Sequence, residues 1–157
     1  MKNIVFTRID DRLIHGQVMT AWVQYTRGNE ILIVDDAVAK DEFLKTIMTA
    51  TTPSGISLHI FSVAEAAEYL KGSDDGKKII LLAKTPATIY GILENGIMLE
   101  KLNIGGIGAR KDRTKLYRNI SATDEERDIF RKIIEKGVNV KVQVIPDDKP
   151  VNIGKFL

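Results

Sequence analysis

The chain has no cysteine among its 157 residues, which excludes disulfides, thiol catalysis and cysteine-ligated metals. Histidine is almost as scarce: His15 and His59 are the only two. They stand far apart and no carboxylate cluster flanks His59, so no metal site and no cofactor are expected. No run approaches the roughly eighteen apolar residues that a spanning helix needs. The N-terminal MKNIVFTRIDDR meets charge too soon for a signal-peptide core. The expectation is a cytoplasmic protein without direct membrane insertion, which works at a membrane only through protein partners.

The charge balance is also small, with 23 Lys+Arg against 21 Asp+Glu for a net +2. The basic residues are spread along the chain except in Arg110 to Lys115, so nucleic acid is not an expected partner. That basic stretch reads as a solvated face or as a docking rim for an acidic partner. Gly105-Gly106-Ile107-Gly108 lacks both dinucleotide spacing and a Walker lysine–serine ending. No nucleophile-elbow pattern occurs.

What is present fits one globular domain over residues 1–157, with 44% hydrophobic and 28% charged residues. Short apolar runs alternate with helical patterns. Strands are expected at Asn3 to Thr7, Ile31 to Val34, Ile56 to Phe61, Lys78 to Ala83, Leu102 to Ile104 (closed by Gly105-Gly106) and Val138 to Ile145. Helices are expected over Gln17 to Tyr25, with Val18, Ala21, Trp22 and Tyr25 in phase, and from Asp35-Asp36 to about Met48, with Phe43, Leu44 and Ile47 inward. Ser62 with Glu65 and Thr123 with Glu126 have capping-box spacing. Thr85 with Pro86 suits a helix start. Gly108 to Asn119 reads as loop, with a short strand near Leu116 to Ile120. The alternation predicts an α/β fold: a mostly parallel central sheet with helices on both faces.

In such sheets ligands bind beyond the carboxyl ends of the strands. The most chemically loaded stretch, Arg8-Ile9-Asp10-Asp11-Arg12-Leu13-Ile14-His15-Gly16-Gln17, falls at that edge between the first strand and first helix. Asp35-Asp36, Lys84-Thr85-Pro86 and Gly105-Gly106 fall there too. Histidine side chains titrate near pH ~6.5, so neutral imidazole is available as base or nucleophile near neutrality. Arg8 and Arg12 each offer a fork of donors to a phosphoryl group. Gly16 leaves space, and a helix start supplies free N–H groups and a positive dipole end. Asp10 or Asp11 can hold one ring N–H and so fix the tautomer. His59, between Leu58 and Ile60, reads as an ordinary strand histidine, and Asp35-Asp36 as a cap.

RIDDRLIHGQV (Arg8 to Val18) resembles the active-site signature of IIB components of the mannose-family sugar phosphotransferase system. VDDAVAKD (Val34 to Asp41), LLAKTP (Leu81 to Pro86), NIGGI (Asn103 to Ile107) and KGVNVKVQVIPDD (Lys136 to Asp148) extend the resemblance over nearly the whole chain. Ile107 stands where methionine is usual, and Asp112-Arg113 replaces a glycine–lysine pair. The resemblance implies that His15 is phosphorylated by a phosphohistidine on a IIA domain and that the phosphoryl group passes to a sugar carried by IIC and IID membrane partners. It implies that Arg12 and Arg8 steady the phosphoryl group, and that Asp10 orients the ring or the loop. Two other readings stand beside it: a regulatory module that uses His15 phosphorylation as a signal, and a small hydrolase using His15 as general base.

Overall fold

A computed structural model describes residues 1–157. Nine strands and five α-helices alternate. The strands are β1 (Asn3–Asp10), β2 (Glu30–Val34), β3 (Ser57–Phe61), β4 (Lys78–Ala83), β5 (Lys101–Gly106), β6 (Thr114–Tyr117), β7 (Ile120–Ala122), β8 (Asn139–Val142) and β9 (Val151–Asn152). The helices are α1 (Gly16–Thr26), α2 (Glu42–Thr51), α3 (Val63–Lys71), α4 (Pro86–Glu94) and α5 (Asp124–Glu135). The main sheet runs β3-β2-β4-β1-β5-β8-β9, and β6 and β7 form a separate hairpin. Every pairing in the main sheet is parallel except that of β9 with β8.

The continuous apolar runs are buried on both faces, as parallel strands flanked by helices must be. Ile31, Ile33, Ile80 and Leu82 pack toward α1 and α2 through Met19, Val23, Leu44 and Met48. Leu32, Val34, Ile79, Leu81 and Ala83 pack toward α3, α4 and α5 through Leu70, Ile89, Ile92, Phe130 and Ile133. The α/β expectation with helices on both faces is met. Both capping boxes form, at Ser62 and at Thr123, and Thr85 caps α4 with Pro86 in its first turn.

Several boundaries differ from the sequence reading. The helix expected from Asp35-Asp36 is broken. Asp35 Oδ1 accepts from the amides of Ala37 and Val38 and caps only a 3-10 turn at Val38–Lys40. The chain then becomes extended at Asp41, whose carboxylate caps α2. That restart changes the helical phase, so Leu44 and Met48 face the core while Phe43 is 73% and Ile47 37% exposed. In α1 the inward residues are Met19 and Trp22, and Tyr25 lies outside. β1 runs on to Asp10, and Gly105-Gly106 continue β5 rather than closing it. The strand expected to reach Ile145 ends at Val142, because the next two carbonyls leave the ladder: Gln143 O accepts from Arg8, and Val144 O from the Trp22 indole.

The connection after β1 crosses β4 to reach β2, whereas the connection after β5 runs the opposite way to β8. The sheet therefore has its topological switch between β1 and β5. In open α/β sheets ligands bind at such a point, beyond the carboxyl ends of the strands, and the His15 loop follows β1 there.

Candidate functional site

Asp10 is the hub of the side chains gathered at this point. Being the last residue of β1 and flanked by β4 and β5, it has no solvent-facing side, and its carboxylate is 0% exposed. Its Oδ1 accepts from the Arg12 backbone N–H at 3.1 Å and from Arg12 Nε at 3.1 Å. Its Oδ2 accepts from Arg12 Nη2 at 3.2 Å and from Arg8 Nη2 at 3.2 Å. His15 Nε2 lies 2.9 Å from the same oxygen. Burial pushes the carboxyl up, but the Arg12 side-chain and backbone hydrogen bonds, the His15 bond and the Arg8 charge outweigh it and hold Asp10 below the usual carboxylate range.

This geometry fixes the imidazole. A neutral ring donating to Asp10 carries its proton on Nε2, so Nδ1 keeps the free electron pair. His15 is 22% exposed, which leaves the ring open on one side. It sits just before α1, and α1 is unlike the other four helices. Side chains of Asp41, Ser62, Thr85 and Thr123 cap those, but no side chain caps α1. Gly16 opens α1 at φ +48 and has open space where a Cβ would stand. The free amides and dipole end of the first turn lie beside the ring, with no acidic residue among them.

The loop between Asp10 and His15 is stiff. Leu13 adopts φ 57, a region that costs a non-glycine residue on the order of 1 kcal/mol or more. It holds because Leu13 and Ile14 are 3% and 4% exposed and anchor in the α1-side core. Leu13 N–H also closes a turn on Asp10 O at 2.9 Å.

The two arginines divide. Arg12 is 52% exposed. It spends Nε and Nη2 on Asp10, and its Nη1 has no partner in the protein. Arg8 is fully buried instead of offering a fork at the surface. Its Nη1 donates to Asn103 Oδ1 at 2.6 Å and to Gln143 O at 3.0 Å, and its Nη2 to Asp10. Only its Nε lacks a partner. Arg8 thus presents no fork at the surface: Nη1 is taken by Asn103 and Gln143, and Nη2 supports Asp10 from beneath. Burial lowers the Arg8 pKa, partly offset by Asp10.

Sequence reasoning missed what makes room for Arg8. At Gly105 a Cβ would stand 2.6 Å from Arg8 Nε, with Cζ and Nη2 nearer still. Gly105→Ala is therefore expected to displace Arg8 and to lower stability by about 1–3 kcal/mol, as overpacking does. Urea unfolding of the variant checks this. Asn103, which accepts from Arg8 and donates to Gln143 O at 3.1 Å, was also missed as a site residue. The missed signal was the strand itself: Arg8 and Asp10 share one face of a strand with neighbours on both sides, so both charges need partners.

Other expected residues lie elsewhere or do other work. The Thr85 hydroxyl caps α4, and Lys84 forms no hydrogen bond or ion pair. Arg110 pairs with Asp112 at the surface. His59 lies on β3, 3.4 Å from the buried Glu30 carboxylate, in a cluster of three rings with Phe61 and Tyr69. No group of three or more His, Cys, Asp or Glu forms a cation cluster, and no helix is long and apolar enough to cross a membrane.

The arrangement sets an imidazole nitrogen with a free electron pair beside a guanidinium edge and an uncapped helix start, groups whose chemistry suits an anion. Residues 4–157 match the family model described as PTS system sorbose subfamily IIB component. The fructose-specific EIIB component of Bacillus subtilis is 32% identical over 149 residues, covering 94% of this chain and 91% of the relative. The mannose-specific EIIAB component of Escherichia coli is 32% identical over 146 residues, covering 92% of this chain but 45% of that longer relative. The crystal structure of the IIBSor domain of the sorbose permease from Klebsiella pneumoniae superposes with a TM-score of 0.93 at 30% identity, covering 96% of this chain and 93% of that one.

Proposed function

The chain belongs to the sorbose-subfamily IIB components of the sugar phosphotransferase system, and on that premise we propose that it is a phosphocarrier that accepts a phosphoryl group on His15 Nδ1 and passes it to a sugar. The single observation that carries this reading is the 2.9 Å contact between His15 Nε2 and Asp10, which leaves Nδ1 as the nucleophile. The donor is a phosphohistidine on a IIA domain; the EIIAB name of the Escherichia coli relative supports that pairing. The acceptor is a sugar held by IIC and IID membrane partners, which give the protein its place at the cytoplasmic face.

In the first transfer the Nδ1 pair of His15 attacks phosphorus in line with the donor nitrogen. The new N–P bond forms as the old one breaks, and the old bond's electrons return to the donor imidazole. As positive charge builds on the His15 ring, the Asp10 carboxylate stabilises it through Nε2–H. Arg12 Nη1 and the first-turn amides of α1 meet the equatorial oxygens, where most of the charge lies. In the second transfer a sugar hydroxyl attacks the same phosphorus; the O–P bond forms as the N–P bond breaks, Nδ1 regains its pair, and the hydroxyl proton passes to water. No nucleotide or metal enters either step.

The test is to incubate the protein with phosphoenolpyruvate, the general phosphotransferase components and a matching IIA, and to look for acid-labile, base-stable phosphate. Label on the wild type that is lost in His15→Ala supports the proposal; no label on the wild type, or label that persists in His15→Ala, overturns it. Chase of the label into sugar with membranes carrying IIC and IID separates a carrier from a regulatory module. Arg12→Ala is expected to slow transfer by on the order of a hundredfold while lowering stability by about 1–3 kcal/mol, because it takes two donors from the buried Asp10 carboxylate. Stopped labelling and thermal unfolding of one preparation check both halves.

A further inference from the structure

The segment after β5 holds a nearly buried arginine, Arg113. Arg113 N–H closes a turn on Arg110 O at 3.0 Å, which brings its side chain back over the loop. Arg113 Nη1 donates to Gly108 O at 3.1 Å. The rest of the guanidinium forks onto Glu126, with Nε to Oε1 at 2.9 Å and Nη2 to Oε2 at 3.1 Å. The pair is nearly buried, at 6% and 11% side-chain exposure. Glu126 is itself fixed, because its Oε1 accepts the Thr123 N–H and its own N–H donates to Thr123 Oγ1 in the capping box of α5.

Gly108 is held on its other side too. Its N–H donates to Asp11 Oδ2 at 2.7 Å, and a Cβ on it would meet that oxygen at 3.1 Å. Asp11 N–H donates to Gly106 O at 3.1 Å. One short residue is thus gripped at its amide by Asp11 and at its carbonyl by Arg113. Asp11 lies between Asp10 and Arg12, the two residues that set the imidazole and the phosphoryl contact. A continuous line of hydrogen bonds runs from the first turn of α5 through Arg113 and Gly108 to the backbone beneath Arg12.

We propose that Arg113 is a positioning residue for phosphoryl transfer: with Glu126 it clamps Gly108 against Asp11 and so holds Arg12 and the His15 loop in register. The proposal rests on the phosphocarrier reading. A buried, forked ion pair costs desolvation and is a poor route to stability alone. Its return here is geometry, since transfer between fixed groups loses about a hundredfold for a misplacement on the order of 1 Å. A surface-docking role for Arg113 is at odds with its burial. The exposed neighbours Lys111 and Lys115 are free for that work.

Phosphoramidate, a small phosphodonor that needs no docking surface, isolates positioning from partner binding. The rate of His15 labelling is measured for the wild type, Arg113→Ala, Asp11→Ala and the double variant. Each single change is expected to slow labelling by about tenfold. The double variant is expected to be no slower than the worse single one, because both break the same line of bonds. If Arg113→Ala does not fold, Arg113→Lys carries the test: it keeps the charge beside Glu126 but lacks the planar fork, and a severalfold slowing with the same non-additivity is expected. Wild-type labelling rates in a folded Arg113 variant, or single effects that multiply in the double, overturn the proposal. An unlabelled wild type instead overturns the phosphocarrier reading on which it rests.

Discussion

Asp10→Asn is expected to slow phosphoryl acceptance at His15 by about a thousandfold or more, the scale seen when a histidine loses the carboxylate that sets its tautomer. The carboxylate takes five donors on two oxygens. An amide has one oxygen. If that oxygen stays with the Arg12 N–H and Nε, the NH2 group occupies the place of Oδ2. There it faces Arg8, Arg12 and His15 Nε2. The imidazole must then accept at Nε2, its proton moves to Nδ1, and the nucleophile is lost. The measurement is the labelling rate with phosphoramidate on protein shown by circular dichroism to be folded. A rate within a fewfold of wild type would mean that Asp10 does not select the tautomer.

The same carboxylate gives stability a definite pH dependence. Its folded pKa lies below the usual range, so the unfolded chain binds the proton more readily. The stabilisation is complete above the unfolded value of about 3.9 and is lost as pH falls through the lower, folded one. Asp10→Asn should flatten that acid limb of the unfolding curve.

Arg8→Ala is the second large effect, and it falls on stability. The side chain is fully buried and is the largest such residue in the protein. Its removal leaves a cavity, an Asn103 Oδ1 without its donor and a buried carboxylate short of one cation. The loss should be about 3–5 kcal/mol, which for a domain of this size lowers Tm by roughly 10 °C or more. Thermal unfolding measures it. A loss below about 1 kcal/mol would show that Arg8 is not the support under Asp10 and would return it to the surface role that the sequence suggested.

That contrast shows what could be read from the chain and what could not. The buried strands were legible because residues such as Ile79-Ile80-Leu81-Leu82 leave no face for water. The two capping boxes were legible because their spacing satisfies the helix amides locally. His15 was legible because the residues that surround it are close in sequence. The partners of Arg8 were not, since Asn103, Gly105 and Gln143 meet it only once β5 and β8 are laid beside β1. A lone arginine beside an apolar run reads as solvated until the strand is known to be central. The break at Asp41 was hidden for a different reason. Asp35, Asp36 and Asp41 all have capping chemistry, and only the core decides which of them starts the helix; that choice turned Phe43 outward. Arg113 stood out only as part of a basic stretch, because its bonds to Glu126 and Gly108 form only once the chain folds back through the β6–β7 hairpin.

The contact between His15 Nε2 and Asp10 leaves Nδ1 as the nitrogen to carry the phosphoryl group. The direct measurement is 15N and 31P NMR of the histidine-labelled protein after phosphorylation by phosphoenolpyruvate, the general components and a IIA. The prediction is a single phosphohistidine at His15, bonded through Nδ1, with Nε2 still protonated toward Asp10. Phosphate on Nε2, or on His59, or no phosphohistidine at all, would contradict it.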